Sequence, residues 1–223
     1  MSANINKLKN RKWLRLDEKQ LRELPHSICE LSNLTWLSVR NNQLSVLPSN
    51  IKHLKNLRIL NLIDNQLTTL PDEIGELKEL VELYVSNNEL KVLSSAHIKH
   101  LSKLRTLDLS DNQLTTLPDE IGELKELVEL YVSNNELKVL SSAHIKHLSK
   151  LRGLYLSDNQ LTELPNEIGE LKELAGLFVA GNPLTLEEMR KVVKLQNKMM
   201  LFKDVTGKDV KCSLFVFYFM SCG

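Results

Sequence analysis

Leucine and isoleucine fall along this chain in one recurring phrase, LxxLxLxxNxLxxLPxxIxxLxx, which runs from about Arg11 to Leu184 in units of 23 or 24 residues. The units begin near Arg11, Leu34, Leu57, Leu80, Leu104, Leu127, Leu151 and Leu174, eight in all. In the LxL core of a unit, such as Leu107-Asp108-Leu109, alternation puts both leucines on one side of a short strand and the middle residue on the other. The stretch Pro-x-x-Ile-x-x-Leu, as in Pro71, Ile74 and Leu77, brings apolar groups to one face at helical spacing, with proline opening the turn. Each unit is therefore a strand, a bend and a return leg. One unit alone leaves both flanks of its leucine stripe in water, whereas stacking covers them, so the array is expected to fold only as a solenoid.

The asparagines Asn42, Asn65, Asn88, Asn112, Asn135, Asn159 and Asn182 stand where each strand ends and the chain must turn. A short amide there can satisfy backbone N–H and C=O groups of a buried bend, in its own repeat and in the next. The first unit carries Lys19 in that slot, which can only donate, and reads as a worn N-terminal repeat acting partly as a cap. Residues 64–105 and 111–152 are identical over 42 positions, offset by 47.

These motifs resemble the leucine-rich repeat family over about Arg11 to Leu184. The resemblance implies an α/β solenoid: a right-handed horseshoe with a parallel sheet of about eight short strands on its concave side and 3₁₀ or short helical legs on its convex side. The phrase LPxxIxxLxxL followed by LxLxxNxL resembles the intracellular Ras-group leucine-rich repeat proteins. That implies signalling by protein–protein contact without catalysis or cofactor, with a small GTPase or other signalling protein as partner.

Composition supports the repeat: 46 of the 223 residues are leucine, and 41 of them lie between Arg11 and Leu184. Eight glycines and six prolines exclude a collagenous chain, and 42% hydrophobic residues exclude a generally disordered one. The net charge of +1, from 29 basic and 28 acidic residues, gives no field to draw the protein onto nucleic acid or an anionic membrane. The basic N-terminus lacks the apolar stretch of a secretory signal, and the longest apolar run, Leu214 to Met220, is far short of the roughly 20 residues that span a bilayer. Cys29, Cys212 and Cys222 are odd in number and lack CxxC spacing, so neither disulfides nor zinc are indicated. A soluble, cytoplasmic monomer is expected.

No catalytic or metal constellation is visible. His97-x-x-His100 recurs as His144-x-x-His147, but neither pair has the adjacent Cys or carboxylate that would complete a site, so each reads as a convex surface pair. Ser86, Ser110, Ser133 and Ser157 form a row with no histidine in the same strands to act as base. The return legs alternate in charge: Glu73, Glu76 and Glu79, then Lys99 and Lys103, then Glu120, Glu123 and Glu126, then Lys146 and Lys150. Such legs predict weak ion pairs between neighbours that keep register.

Function is expected on the concave face. The middle residues of the LxL motifs are Arg15, Ser38, Asn61, Tyr84, Asp108, Tyr131, Tyr155 and Phe178, and the residues just before the motif are Trp13, Trp36, Ile59, Glu82, Thr106, Glu129, Gly153 and Gly176. Aromatic side chains concentrated on one exposed face suit a binding surface. Two patches follow: Trp13 and Trp36 flanked by Arg15 and Arg40, and Tyr131, Tyr155 and Phe178, which Gly153 and Gly176 are expected to leave shallow. Trp13, Trp36, Arg40, Tyr84, Asp108, Tyr131, Tyr155 and Phe178 are the candidate partner-binding residues. Alternatively, the rings stack between strands to cover the sheet. A second functional reading is a recognition or regulatory subunit of an enzyme complex, of phosphatase or ubiquitin-ligase type.

The expected organisation is a lead-in over 1–10, eight repeats over 11–184, a capping helix and extension over 185–211, and an apolar tail over 212–223. Thr185 as N-cap, acidic Glu187 and Glu188 in the first turn, and an amphipathic run through Met189, Val192, Val193, Gln196 and Met200 predict a helix from about Leu186 to Leu201 that closes the core.

Overall fold

The computed structural model describes residues 6–199, 201–203 and 209–211; the 212–223 tail lies outside the described residues. Eight three-residue strands form one parallel sheet in sequence order: Trp13–Arg15 (β1), Trp36–Ser38 (β2), Ile59–Asn61 (β3), Glu82–Tyr84 (β4), Thr106–Asp108 (β5), Glu129–Tyr131 (β6), Gly153–Tyr155 (β7) and Gly176–Phe178 (β8). Every strand pairs with the equivalent triplet of the next repeat, so Leu60, Leu83, Leu107 and Leu130 form one column and register never slips. These leucines, and Leu62, Leu109 and Leu156 at the ends of their LxL motifs, are fully buried in a core that runs the length of the stack. The middle residues face the opposite, concave side, and the architecture is the horseshoe α/β solenoid that the repeat implies.

Where a return leg opens with proline it forms a five-residue 3₁₀ turn, at His26–Glu30, Ser49–His53, Asp72–Glu76, Asp119–Glu123 and Asn166–Glu170. Proline supplies the first extended residue of each turn but no N–H. The two legs without proline form α-helical turns instead, Ser95–Ile98 (α1) and Ser142–Ile145 (α2).

These two turns change the reading of the histidines. His97 and His144 are buried, at 4% and 5% exposure, so the convex pair is half interior. His97 stands third in a capping box: its Nδ1 accepts from the backbone N–H of Ser94 at 3.1 Å, and its Nε2 lies 3.3 Å from Asp72 of the preceding leg. His144 repeats this with Ser141 and Asp119. Such a box normally uses Glu or Gln at that position, and the spacing alone gave no sign that an imidazole would fill it. Burial lowers both histidine pKa values despite the opposing pull of Asp72 and Asp119, so each ring is held neutral with its proton on Nε2.

The asparagine ladder is present, but it reaches back and not forward. Asn112 donates from Nδ2 to Leu109 and Ser110 of its own bend and to Val85 of the preceding repeat, and its Oδ1 accepts from the N–H of Leu90, also in the preceding repeat. Asn65, Asn88, Asn135, Asn159 and Asn182 follow the same pattern. Asn42 closes the worn first bend by accepting from both Lys19 and Leu21. A second column escaped the sequence reading. Asn41, Asp64, Asn87, Asp111, Asn134, Asp158 and Gly181, each just before a ladder asparagine, all have positive φ. Asn, Asp and Gly tolerate that left-handed conformation best, so the paired Asn/Asp–Asn signature was its available signal.

The charged legs pair as expected. Lys103 meets Glu79 and Lys150 meets Glu126 one repeat earlier, while Lys52 and Lys55 meet Glu76 one repeat later. All are exposed, so each contributes no more than about 1 kcal/mol.

The stack closes on the helix Leu186–Met199 (α3), whose first turn is capped by the Thr185 hydroxyl accepting from Glu188 N–H. Of the expected stripe Val192 and Gln196 face the core, whereas Met189 and Val193 are exposed and Glu188 and Leu195 turn inward in their place. Polar contacts set this arrangement. Glu188 accepts from the orphan N–H of Leu164, and Gln196 donates to the carbonyl of Leu177 in the last strand. Beyond it, Leu201–Lys203 (β9) and Asp209–Lys211 (β10) pair antiparallel.

Candidate protein-binding face

Parallel register converts the two variable columns into a grid on the concave sheet. Tyr84, Asp108, Tyr131, Tyr155 and Phe178 lie side by side on β4 to β8, and Glu82, Thr106, Glu129, Gly153 and Gly176 lie beside them on the same strands. Trp13, Trp36 and Ile59 continue the second row to the other end.

At the C-terminal end the rings stack. Tyr131 and Tyr155 have centroids 4.2 Å apart with planes 14° from parallel, and Tyr155 and Phe178 are 4.7 Å apart at 4°. The alternative in which rings stack across the strands is therefore realised, yet Phe178 remains 43% exposed at the open end of the stack. Both glycines are closely packed over. A Cβ on Gly153 would collide with the Glu129 carboxylate and lie 2.8 Å from the Tyr155 ring, and one on Gly176 would lie 3.0 Å from Phe178. Absence of a side chain seats each ring flat over its own strand. Glu129 is wedged into the space over Gly153, where Oε2 is shut from water with no hydrogen-bond partner, and burial raises its pKa.

Tyr84 differs from Tyr131 although both sit in the identical 42-residue blocks. Its hydroxyl donates to Oε2 of Glu82 at 2.8 Å, and burial together with this bond pushes its pKa up to about 12. The neighbour on β5 is Asp108, not an aromatic ring, and its Oδ1 accepts from the N–H of Ser110.

At the N-terminal end Trp13 is 58% exposed and Trp36 half-buried. Arg11 lies over the Trp13 ring at 5.3 Å and Arg15 over Trp36 at 5.6 Å, so cation–π contacts, with no ring-to-ring stack between the two tryptophans, build this patch. Arg40 makes neither of these contacts and pairs with Asp64 at 3.1 Å. The eight candidate residues thus do not form one site: Trp13, Trp36 and Arg40 stand apart from the Tyr84 to Phe178 row. Among the described residues no group of three or more His, Cys, Asp or Glu side chains could hold a metal ion. Cys29 is buried in the core, where loss of solvation pushes its thiol up to about 11 and makes it a poor nucleophile. No described helix is long and apolar enough to cross a membrane.

The Leucine rich repeat family model matches residues 78–137 and 125–184, and the Leucine-rich repeat region model matches residues 2–91. The chain belongs to the leucine-rich repeat proteins. Among solved structures, a leucine-rich repeat protein of Leptospira interrogans is 36% identical with a TM-score of 0.68, the match covering 80% of this chain and 51% of that one. The plant peptide hormone receptor RGFR1, solved in complex with RGF2, is 28% identical with a TM-score of 0.66 and covers 81% of this chain and 34% of its own. An internalin of Listeria monocytogenes, 24% identical with a TM-score of 0.64 over 86% of this chain and 60% of its own, shares the fold. This repeat protein therefore spans about half the length of the Leptospira relative. No curated protein sequence matches it. Leucine-rich repeat arrays are typically protein-interaction modules.

Proposed function

We propose that this repeat protein is a non-catalytic binding module that holds a protein partner on its concave face, in intracellular signalling and in the cytoplasm. The stacked Tyr131–Tyr155–Phe178 ladder carries the reading. It places three aromatic rings side by side on an open sheet face, stacked on one another and with Tyr155 and Phe178 close over glycine, and aromatic anchors dominate the energetics of protein interfaces. The plant receptor relative, solved with RGF2, supports the same role for the array. The resemblance to Ras-group repeats makes a small GTPase the first partner to try.

The test is a triple variant, Tyr131→Ala with Tyr155→Ala and Phe178→Ala. The parent array, immobilised, should retain a specific protein from the native cell, and the variant should lose it while its circular dichroism melt stays within a few degrees of the parent. Retention by both chains would refute the assignment of the face.

A further inference from the structure

Three carboxylates on the middle of the concave sheet make no ion pair among the described residues, although Arg152 is near enough to Glu129 to oppose the rise in its pKa. Asp17 and Asp64, nearer the N-terminal end, are paired with Arg15 and Arg40, but among the described residues Glu82, Asp108 and Glu129 form no ion pair. Glu129 is tucked over Gly153 beneath the aromatic ladder, which leaves Glu82 and Asp108 to set the charge near β5.

The shape there follows from the register. On β5 the outward residues are the short Thr106 and Asp108, whereas β4 presents Glu82 and Tyr84 and β6 presents Glu129 and Tyr131. A notch one strand wide therefore runs along β5, walled by Tyr84 and Tyr131 and floored by Asp108. The walls are fixed: Tyr84 is tied by its hydroxyl to Glu82, and Tyr131 is backed by Tyr155 at 4.2 Å on its far side. Their strands stand two strand spacings apart, about 9.6 Å. A flat group midway would lie about 5 Å from each wall, within the roughly 6 Å over which a cation is attracted to an aromatic ring. Burial is the main cause of the raised pKa of Tyr84 and of Tyr131, and the Asp108 charge adds a smaller push to both.

We propose that this notch is an arginine slot: a guanidinium from the protein partner enters between the Tyr84 and Tyr131 rings and pairs with the Asp108 carboxylate, with Glu82 beside it. This rests on the concave face being the binding face and names the chemistry it selects. Arginine fits better than lysine because a planar guanidinium can lie against two rings and still present a fork of donors to a carboxylate, which a compact ammonium cannot. Asp108 Oδ1 is already engaged by the N–H of Ser110, so Oδ2 is the oxygen left to receive it. The duplicated blocks explain why the slot occurs once. Glu82 with Tyr84 and Glu129 with Tyr131 are the same strand twice, but the first is followed by Thr106 and Asp108 and the second by Gly153 and Tyr155, which close the notch with a ring.

The experiment is an NMR titration of the full chain, labelled with nitrogen-15, using N-acetyl-Gly-Arg-Gly-amide, its lysine counterpart and its citrulline counterpart, which keeps arginine's shape without the charge. The arginine probe should saturate shifts in the amides of Thr106, Leu107 and Asp108, the lysine probe should bind more weakly, and the citrulline probe should leave them unmoved. Asp108→Asn and Tyr84→Leu should each weaken the arginine probe by about tenfold, the loss expected for one desolvated charge or ring contact. Citrulline binding equal to arginine, or an unchanged titration in Asp108→Asn, would overturn the proposal. So would concentration-dependent self-association that Asp108→Asn abolishes, because the slot would then belong to a second copy of this chain. If a captured partner depends on Tyr131, Tyr155 and Phe178 but is held equally by Asp108→Asn, the slot falls and the binding face stands. If the triple variant keeps its partner, the binding face falls while the titration still decides the slot.

Discussion

Replacing Asn112 by alanine isolates what one rung of the asparagine ladder contributes. Asn112 donates to three carbonyls, but each has a second donor: Val85 O accepts from Asn88, Leu109 O from Asn135, and Ser110 O from the backbone N–H of Asn87. Alanine therefore orphans a single buried group, the Leu90 N–H that Asn112 Oδ1 receives at 2.9 Å. An unpaired buried donor costs about 1–3 kcal/mol, and that is the expected loss. Aspartate makes the opposite error. Asn112→Asp keeps an acceptor for Leu90 but places a carboxylate against three carbonyl oxygens about 3 Å away, so at pH 7 it should cost more than alanine. Such a site raises the folded-state pKa of the carboxyl. The variant therefore regains stability as pH falls through that raised value, recovers it fully below the unfolded value of about 3.9, and loses it again on the way up. Urea unfolding followed by far-ultraviolet circular dichroism, with the slope checked for constancy, measures both variants against the parent. An alanine loss below about 0.5 kcal/mol, well short of one unpaired donor, or an aspartate variant at pH 7 no worse than alanine, would refute the view that the ladder is held by its acceptor on the preceding repeat.

Two further outcomes follow from the packing between repeats. Gly75→Ala should destabilise by about 1–3 kcal/mol, as overpacking does, because its Cβ would run into the backbone carbonyl of Ala96 in the next leg, whereas Gly169→Ala should be tolerated, its Cβ meeting only Leu195 Cδ2 at 3.5 Å; thermal melts of the two variants give the comparison. The neutral imidazoles of His97 and His144 bind fewer protons folded than unfolded, so their contribution is complete above about pH 6.5 and is lost as pH drops below it through the lowered folded values. His97→Gln with His144→Gln keeps a side-chain acceptor for the capping box but cannot titrate; the melting temperature of the double variant should fall less than the parent's between pH 7 and pH 5.

The architecture could be read directly because each unit repeats a binary pattern eight times over. Leu107 and Leu109 must face one way and Asp108 the other in any strand, and a column of asparagine at the end of every strand signals one recurring bend. The capping helix was legible from Thr185, Glu187 and Glu188, and Val192 and Gln196 face inward as read, but the exposure of Met189 and Val193 was not, because Glu188 turns inward to partner the backbone of Leu164. The face that carries the candidate residues followed from alternation alone. Their grouping did not: Arg40 pairs with Asp64, and Gly153 and Gly176 lie directly under the Tyr155 and Phe178 rings.

The limit of the one-dimensional pattern lies at the boundary between repeats. Alternation and spacing specify how a residue sits within its own unit, so strand, bend, leg and the leucine core all follow from the chain read singly. What a residue touches across the stack depends on the unit laid beside it. Gly75, Gly122 and Gly169 occupy the same Ile-Gly-Glu-Leu phrase, yet the first two lie against the backbone of a helical turn and the third against a side chain of the capping helix. Tyr84 and Tyr131 lie in identical 42-residue blocks, yet one walls an acidic notch and the other begins an aromatic stack. His97 is polar by type but buried, because Asp72 of the preceding leg and Ser94 of its own turn supply both partners its ring requires. Identical sequence acquires different chemistry only when stacking selects its neighbours, and that selection is a property of the assembled solenoid.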